Sequence, residues 1–316
     1  MTATWLTETL GIEIPVLGAP MAGRAGGALV AEVTRGGGLG MLGAGYVTAE
    51  WLAREAAVAR EAGPFGVGLM VWSLDEDDAP LDAALDERPA IVSLSFGDPA
   101  PYVDRVHAAG ALALAQVNTP ADLMVAEAAG VDVVVAQGAE AGGHTGGVAT
   151  LPLLQQVLDA TQLPVLAAGG IATGRGLAAV LAAGAQGAMV GTALLASPET
   201  TGPEYAVGRL LAADATDTVY TSVFDRARAL EWPHRWGGRA LVNRFTRTWH
   251  DAAGAGPIPD AEADELRGDY DPSDPDLGVV YAGQAAGSVT ETLPAADVVR
   301  RIGADADALL ARIGRP

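Results

Sequence analysis

The sequence predicts an α/β fold: a (β/α)8 barrel with a small, mostly helical inserted segment near the C-terminus. Three observations predict it. Over roughly the first two-thirds of the 316 residues, continuous apolar runs alternate with Ala-rich amphipathic segments that end in Gly. Continuous apolar strands separated by helices mean a parallel sheet covered on both faces. About eight such units follow one another, which is the number a closed barrel needs. An open doubly wound sheet is disfavoured, because no early G-x-G-x-x-G follows the first strand; "GRAGGALVAE" is glycine-rich but lacks that spacing.

In chain order, the predicted strands are "IPVLGAP", "GLGMLGA", "FGVGLMVW", "AIVSLSF", "ALALAQV", "VDVVVAQ", "LPVLAAG" and "GAMVGTALL". Helices such as "AEWLAREAAVAREAG", "APYVDRVHAAG", "PADLMVAEAAG", "LPLLQQVLDAT" and "GRGLAAVLAAG" lie between them, each with apolar residues at helical spacing. After residue 200 the rhythm stops. Residues 205–276 hold much of the Trp and Arg, then an acidic, Pro-rich piece, "DELRGDYDPSDPDLG". We expect residues 1–204 and 277–316 to form the barrel and 205–276 an inserted or lid segment. The tail "PAADVVRRIGADADALLARIG" returns to helical spacing and is expected to pack back on the barrel.

Composition narrows the chemistry. The formal net charge is -20 and the sequence pI about 4.4. Such a chain repels nucleic acid and anionic membranes, so neither is expected as a partner. There is no cysteine, which excludes disulfides, thiolate nucleophiles and iron–sulfur ligation. Every basic residue but the histidines is arginine, so lysine Schiff-base chemistry is excluded too. No signal peptide opens the chain and no apolar run approaches a membrane span, so a cytoplasmic enzyme is expected.

In a barrel, function sits at the carboxyl ends of the strands. Three glycine-rich features fall there. The first is "GAPMAG", where Gly and Pro let backbone approach a flat ligand; a plain tight turn explains it equally well. The second is the pair "AAGGI" and "VGTALL", after the predicted seventh and eighth strands. Barrels commonly bind phosphate there through bare N–H groups. Gly169, Gly170 and Gly191 leave those groups uncovered, and Thr192 adds a hydroxyl.

The third is "QGAEAGGHTGG", in which His144 stands among glycines directly after a strand. A lone histidine is usually structural, as expected here of His107, His234 and His250. The glycines around His144 are expected to leave its ring accessible, and an imidazole there can move a proton near neutral pH. No second ligand stands at metal spacing, and Glu140 in a Gly-rich loop is weak evidence of one. Gln116 and Gln137 end the fifth and sixth strands and would point amides into the barrel mouth, to hydrogen-bond a heteroaromatic ring or ribityl chain.

Together with "GAQGAMVGTALLASPE", "TVYTSVFDRARAL" and "YAGQAAG", these segments resemble the nitronate monooxygenase family over nearly the whole chain. The Glu-x-Gly-Gly-His element is shared with related flavin enzymes, among them enoyl-acyl-carrier-protein reductases and NAD(P)H:quinone reductases. The resemblance implies FMN as cofactor and His144 as catalytic base. It places Pro20, Met21, Ala22, Gly23, Gln116, Gln137, Gly142 and Gly143 along the flavin. Gly169, Gly170, Gly191 and Thr192 would cradle its phosphate, and Gln284 would close the substrate pocket. Family members often carry a polar residue where this chain has Gly68, and some carry lysine in place of Gln116.

The implied reaction is oxidation of alkyl nitronates or nitroalkanes with O2 to carbonyl compounds and nitrite. The alternative is an FMN-dependent NAD(P)H oxidoreductase acting on a quinone or an enoyl thioester. A phosphate-binding barrel without redox activity is a third, weaker reading. The oligomeric state is open, with a homodimer as one option.

Overall fold

The computed structural model describes residues 3–254 and 260–313. Eight parallel strands form the barrel: β1 (Val16–Gly18), β2 (Met41–Gly43), β3 (Gly66–Met70), β4 (Ile91–Ser95), β5 (Leu112–Val117), β6 (Val133–Gln137), β8 (Val165–Ala168) and β9 (Ala188–Val190). Each lies inside one of the apolar runs singled out above. The ladder runs β1-β9-β8-β6-β5-β4-β3-β2, and a parallel bridge between Leu17 and Leu39 joins its two ends.

The pleat sorts the side chains. Along β6, Val133 and Val135 face the barrel interior, while Val134 and Ala136 face the helices. β5 puts Leu114 inside and Ala113 and Ala115 outside; β8 puts Leu166 inside and Val165 and Ala167 outside. Leu17, Leu39, Met41, Ile91 and Met189 complete the inner layer, and Leu6 and Ile12 close it from below. Leu6 sits on the helix Trp5–Leu10, whose Thr4 cap forms a capping box with Thr7.

The helix Ala295–Ile313 packs between the helices Gly27–Arg35 and Gly174–Ala182 and buries Val299, Ile302 and Ala306. That is the place of the outer helix due after β9. Residues 192–294 are therefore an excursion from the last β/α unit. They hold helices at Tyr205–Leu211, Val223–Ala227, Arg244–Gly254 and Asp260–Asp269, plus β10 (Thr218–Thr221) and β11 (Gly237–Leu241). Phe224, Phe245, Trp249 and Leu266 pack into a small core within it. Among the described residues, no helix is long and apolar enough to cross a membrane.

One strand lay hidden in the glycine-rich stretch: β7 (Gly143–Thr145), which pairs antiparallel with β11, itself paired with β10. Three residues without apolar alternation give no strand signal. The pairing depends on glycine at 238, whose Cβ would lie 2.6 Å from the Tyr281 ring.

Glycine at 68 has a comparable cause. A Cβ there would collide with the Pro20 ring, which crosses β3 as the 18–23 turn leaves β1. A Gly68→Ala variant should lose about 1–3 kcal/mol of stability by overpacking, with the midpoint of urea unfolding as the measurement. An unchanged midpoint would show that the turn moves freely.

Candidate active site

A cavity of about 650 Å³ opens at the carboxyl ends of the strands. It is lined by Pro20, Met21, Ala22, Gly23, Gln116, Gln137, Gly142, Gly143, His144, Gly169, Gly170, Gly191 and Thr192, so those predicted residues converge. Gln284 does not line it. Its backbone N–H is tied to the Glu140 carbonyl at 2.9 Å and its side chain is exposed, while the neighbouring Ala285 faces the cavity.

The glycine-rich loop is held firmly. Glu140 accepts from the Thr150 N–H at 2.6 Å and its hydroxyl at 2.7 Å, so this carboxylate braces the loop. Thr145 donates to the Gly138 carbonyl at 2.9 Å, and Arg239 to that of Ala139 at 2.7 Å. Gly143 has φ +71, which few other residues tolerate. A Cβ at Gly142 would lie 2.6 Å from the Gly283 nitrogen, so its bareness admits the returning chain. Among the described residues, no group of three or more acidic or histidine side chains could hold a metal ion.

His144 is less accessible than its glycines suggest: its side chain is only 9% exposed. Trp232, from the excursion, lies flat on the imidazole with centroids 3.5 Å apart and planes at 3°. His144 Nε2 lies 3.0 Å from Asp225 Oδ2, and Tyr281 donates to Asp225 Oδ1 at 3.3 Å. Burial, and then Asp225, push the Tyr281 phenol well above its ordinary value, so it keeps its proton. Trp232 also packs against Trp72 and Phe96 to form an aromatic cap. Tyr46 leans on Trp72, and burial pushes its phenol up to about 12.

Gln116 and Gln137 sit where strand parity puts them, on the inward face above Leu114 and Val135. Their orientation follows from two one-way groups. The Trp236 indole can only donate, and it donates to Asn118 Oδ1 at 3.0 Å. Asn118 Nδ2 therefore donates to the Gln137 side-chain oxygen at 2.9 Å. The His144 backbone oxygen can only accept, and it takes Gln137 Nε2 at 3.2 Å. Gln116 Nε2 must then donate to Gln137 Oε1, at 2.9 Å, which leaves the Gln116 oxygen without a donor among the described residues.

The loops after β8 and β9 carry the other half of the site. Gly169 and Gly170 have φ +100 and +75. The N–H groups of Gly169, Gly170 and Gly191 donate to no acceptor among the described residues. Thr192 Oγ1 accepts from the Gly283 N–H at 3.0 Å, which leaves its own proton to give. Arg24 lines the same cavity, donating to the Thr201 carbonyl at 3.1 Å, and burial lowers its pKa.

Sequence reading missed Asp225, Tyr281 and Arg228, while Trp232 belongs to the Trp-rich segment that could be a pocket lid, a dimer surface or plain core. Asp225 lies 81 residues from His144, so no spacing rule joins them. Trp232 and Trp236 stood out only as members of a Trp-rich segment. His107 is bound to Asp132 at 2.9 Å on an outer helix, as expected of a structural histidine. An Asn118→Asp variant replaces two donated bonds by carboxylate–carbonyl contacts and should cost about 1–3 kcal/mol in urea unfolding, more than Trp236→Phe. Equal losses would show that the amide chain is not oriented as derived.

Comparison with known proteins gives a consistent picture. A profile described as nitronate monooxygenase matches residues 3–83 and 73–305. The nitronate monooxygenase of Paraburkholderia phytofirmans is 32% identical, over 94% of this chain and 93% of that protein. A Rhodococcus jostii protein named (3aS,4S,5R,7aS)-5-hydroxy-7a-methyl-1-oxo-octahydro-1H-indene-4-carboxyl-CoA dehydrogenase is 37% identical, over 76% of this chain and 67% of its own. FabK from Thermotoga maritima superposes with a TM-score of 0.86 at 29% identity, covering 99% of both chains. The nitroalkane oxidase of Streptomyces ansochromogenes gives a TM-score of 0.80 at 32% identity, covering 98% of this chain and 100% of that one. The chain belongs to the nitronate monooxygenase family, and is a flavin-dependent oxidoreductase built on a (β/α)8 barrel.

Proposed function

We propose that this protein is an FMN-dependent nitronate monooxygenase, converting alkyl nitronates, and nitroalkanes deprotonated by His144, to carbonyl compounds and nitrite with O2. The observation that carries this reading is a largely buried imidazole on the wall of a cavity whose other end is a cradle of N–H groups with no acceptor among the described residues. The residues suit FMN. Gly169, Gly170 and Gly191 offer three N–H donors and Thr192 a hydroxyl, the donor set a phosphate needs where no lysine exists. Pro20, Met21, Ala22, Gly23, Gly142 and Gly143 would flank the ring, with Gln116 and Gln137 turned toward its polar edge. When bound, FMN supplies the electron acceptor and the reactivity with oxygen.

The chain's own residues do the rest. His144 takes the α-proton from a neutral nitroalkane, after which the substrate is a nitronate. Trp232, Trp72 and Phe96 keep that end of the cavity apolar and limit water around the proton transfer. Segment 205–276 serves as the lid, since Arg228, Leu230, Trp232, Tyr270 and Pro272 all reach the cavity from it.

A second reading has specific support. The Rhodococcus relative is named for a bulky bicyclic acyl-CoA thioester. This suggests an NAD(P)H-linked oxidoreductase working at the same flavin, with His144 as acid or orienting group.

Two measurements separate the readings. His144→Asn should slow oxidation of neutral nitroalkanes about a hundredfold, far more than that of preformed nitronates; equal loss on both counts against the base role. In an anaerobic mix, NADH should leave the flavin spectrum unchanged while a nitronate bleaches it. Rapid bleaching by NADH instead selects the reductase.

A further inference from the structure

His144 has two ring nitrogens, and only one can serve as base. In a neutral imidazole, one nitrogen bears the proton and the other is bare. Which is which is set by the partner of the protonated one. Nε2 faces Asp225 Oδ2 at 3.0 Å, and the Asp225 side chain is 5% exposed. An ionised carboxylate only accepts, so Nε2 must be the donor. Asp225 cannot relax away, because Tyr281 donates to its other oxygen and Trp232 fixes the plane of the imidazole. Nδ1 has no partner among the described residues, yet is not one of the sealed, unpaired polar atoms. It is therefore reached by solvent, on a residue that lines the cavity.

We propose that Asp225 is a positioning residue that holds His144 as the Nε2–H tautomer and makes Nδ1 the nitrogen that accepts the substrate's proton. The substrate's α-C–H bond breaks, its electron pair passes to the nitro group to leave a nitronate, and a new N–H bond forms at Nδ1. The resulting imidazolium lies against the Asp225 carboxylate. The titratable or charged groups near this pair include Tyr281, Tyr46, Tyr270 and Arg228. Burial raises all three phenols, which keep their protons, so Asp225 is the carboxylate that meets the new cation. The kinetic consequence rests on the nitroalkane reading, but the tautomer does not.

The test uses FMN-loaded protein labelled with ¹⁵N-histidine, with His144→Asn for assignment, at a pH above the ordinary imidazole range. The expected result is a protonated Nε2 with a slowly exchanging, far-downfield proton, and a bare Nδ1. A proton on Nδ1 overturns the proposal whatever any variant does. Asp225→Asn should abolish the downfield proton. It should also lower turnover of neutral nitroalkanes at least about tenfold more than turnover of nitronates, in kcat rather than KM. If both signals survive in Asp225→Asn, the carboxylate has no positioning role. If that variant does not hold FMN, the wild-type tautomer alone decides. If the tautomer is as expected but no nitroalkane is oxidised, the substrate reading and the proton-transfer step fail, and the tautomer held by Asp225 stands.

Discussion

The strict alternation of inward and outward side chains along the barrel strands is the constraint on which the site depends. The inner layer is apolar as far as Leu114, Val135 and Leu166. Parity then forces the next inward positions, Gln116 on β5 and Gln137 on β6, into the mouth. Ser93 and Ser95 follow the same rule on β4 and bond each other at 3.0 Å. A shift of one residue in any strand would bury these amides among the helices and turn Val134 or Ala115 into the barrel. The apolar packing between barrel and helices therefore fixes the polar groups of the cavity.

A second layer of order comes from the excursion after β9. Trp236 reaches the barrel to orient Asn118, and through it both glutamines. Asp225 reaches it to meet His144. β11 pairs with β7 and holds the backbone on which His144 stands. The excursion thus sets the direction of groups that the barrel only places. This explains why the chain leaves its last β/α unit unfinished until Ala295: the outer helix can wait, because Val299 and Ile302 complete the packing when the chain returns.

Much of this was legible in the sequence, and the boundary follows range. All eight barrel strands showed as largely apolar runs, because both of their faces are buried, with polar residues only at inward positions toward their carboxyl ends, such as Ser93, Ser95, Gln116 and Gln137. Gln116 and Gln137 were legible because strand parity is local. Gly169 and Gly170, after the seventh strand, stood out in the sequence, and their φ values of +100 and +75 explain why glycine is there. The partners of His144 were not. Asp225 and Trp232 belong to a segment with no periodicity, and their contacts exist only after the excursion folds back. The glycines beside His144 suggested an open ring. Gly142 is bare for another reason, to let residues 282–283 pass. Gln284 sits in a legible motif, but only backbone geometry shows that its neighbour Ala285 faces inward.

The base role proposed for His144 sets conflicting demands: access to substrate and shelter from water. The aromatic cap reconciles them. Trp232 covers one whole face of the imidazole, Asp225 occupies one nitrogen, and the other nitrogen is left to solvent. Building the cap costs strain. Tyr46, Phe96 and Ala229, three of the four non-glycine residues with positive φ among those described, lie in or beside it. Such conformations cost of order 1–3 kcal/mol each and persist only where packing over-determines them. Here the edge contacts of Phe96 with Trp232 and Trp236, at 5.0 and 5.4 Å, supply that packing. The fourth such residue, Arg88, precedes β4 at the far end of the barrel and touches none of this. Strain is thus gathered at the cap, where packing around Trp232 holds the backbone of its neighbours, over an otherwise regular barrel.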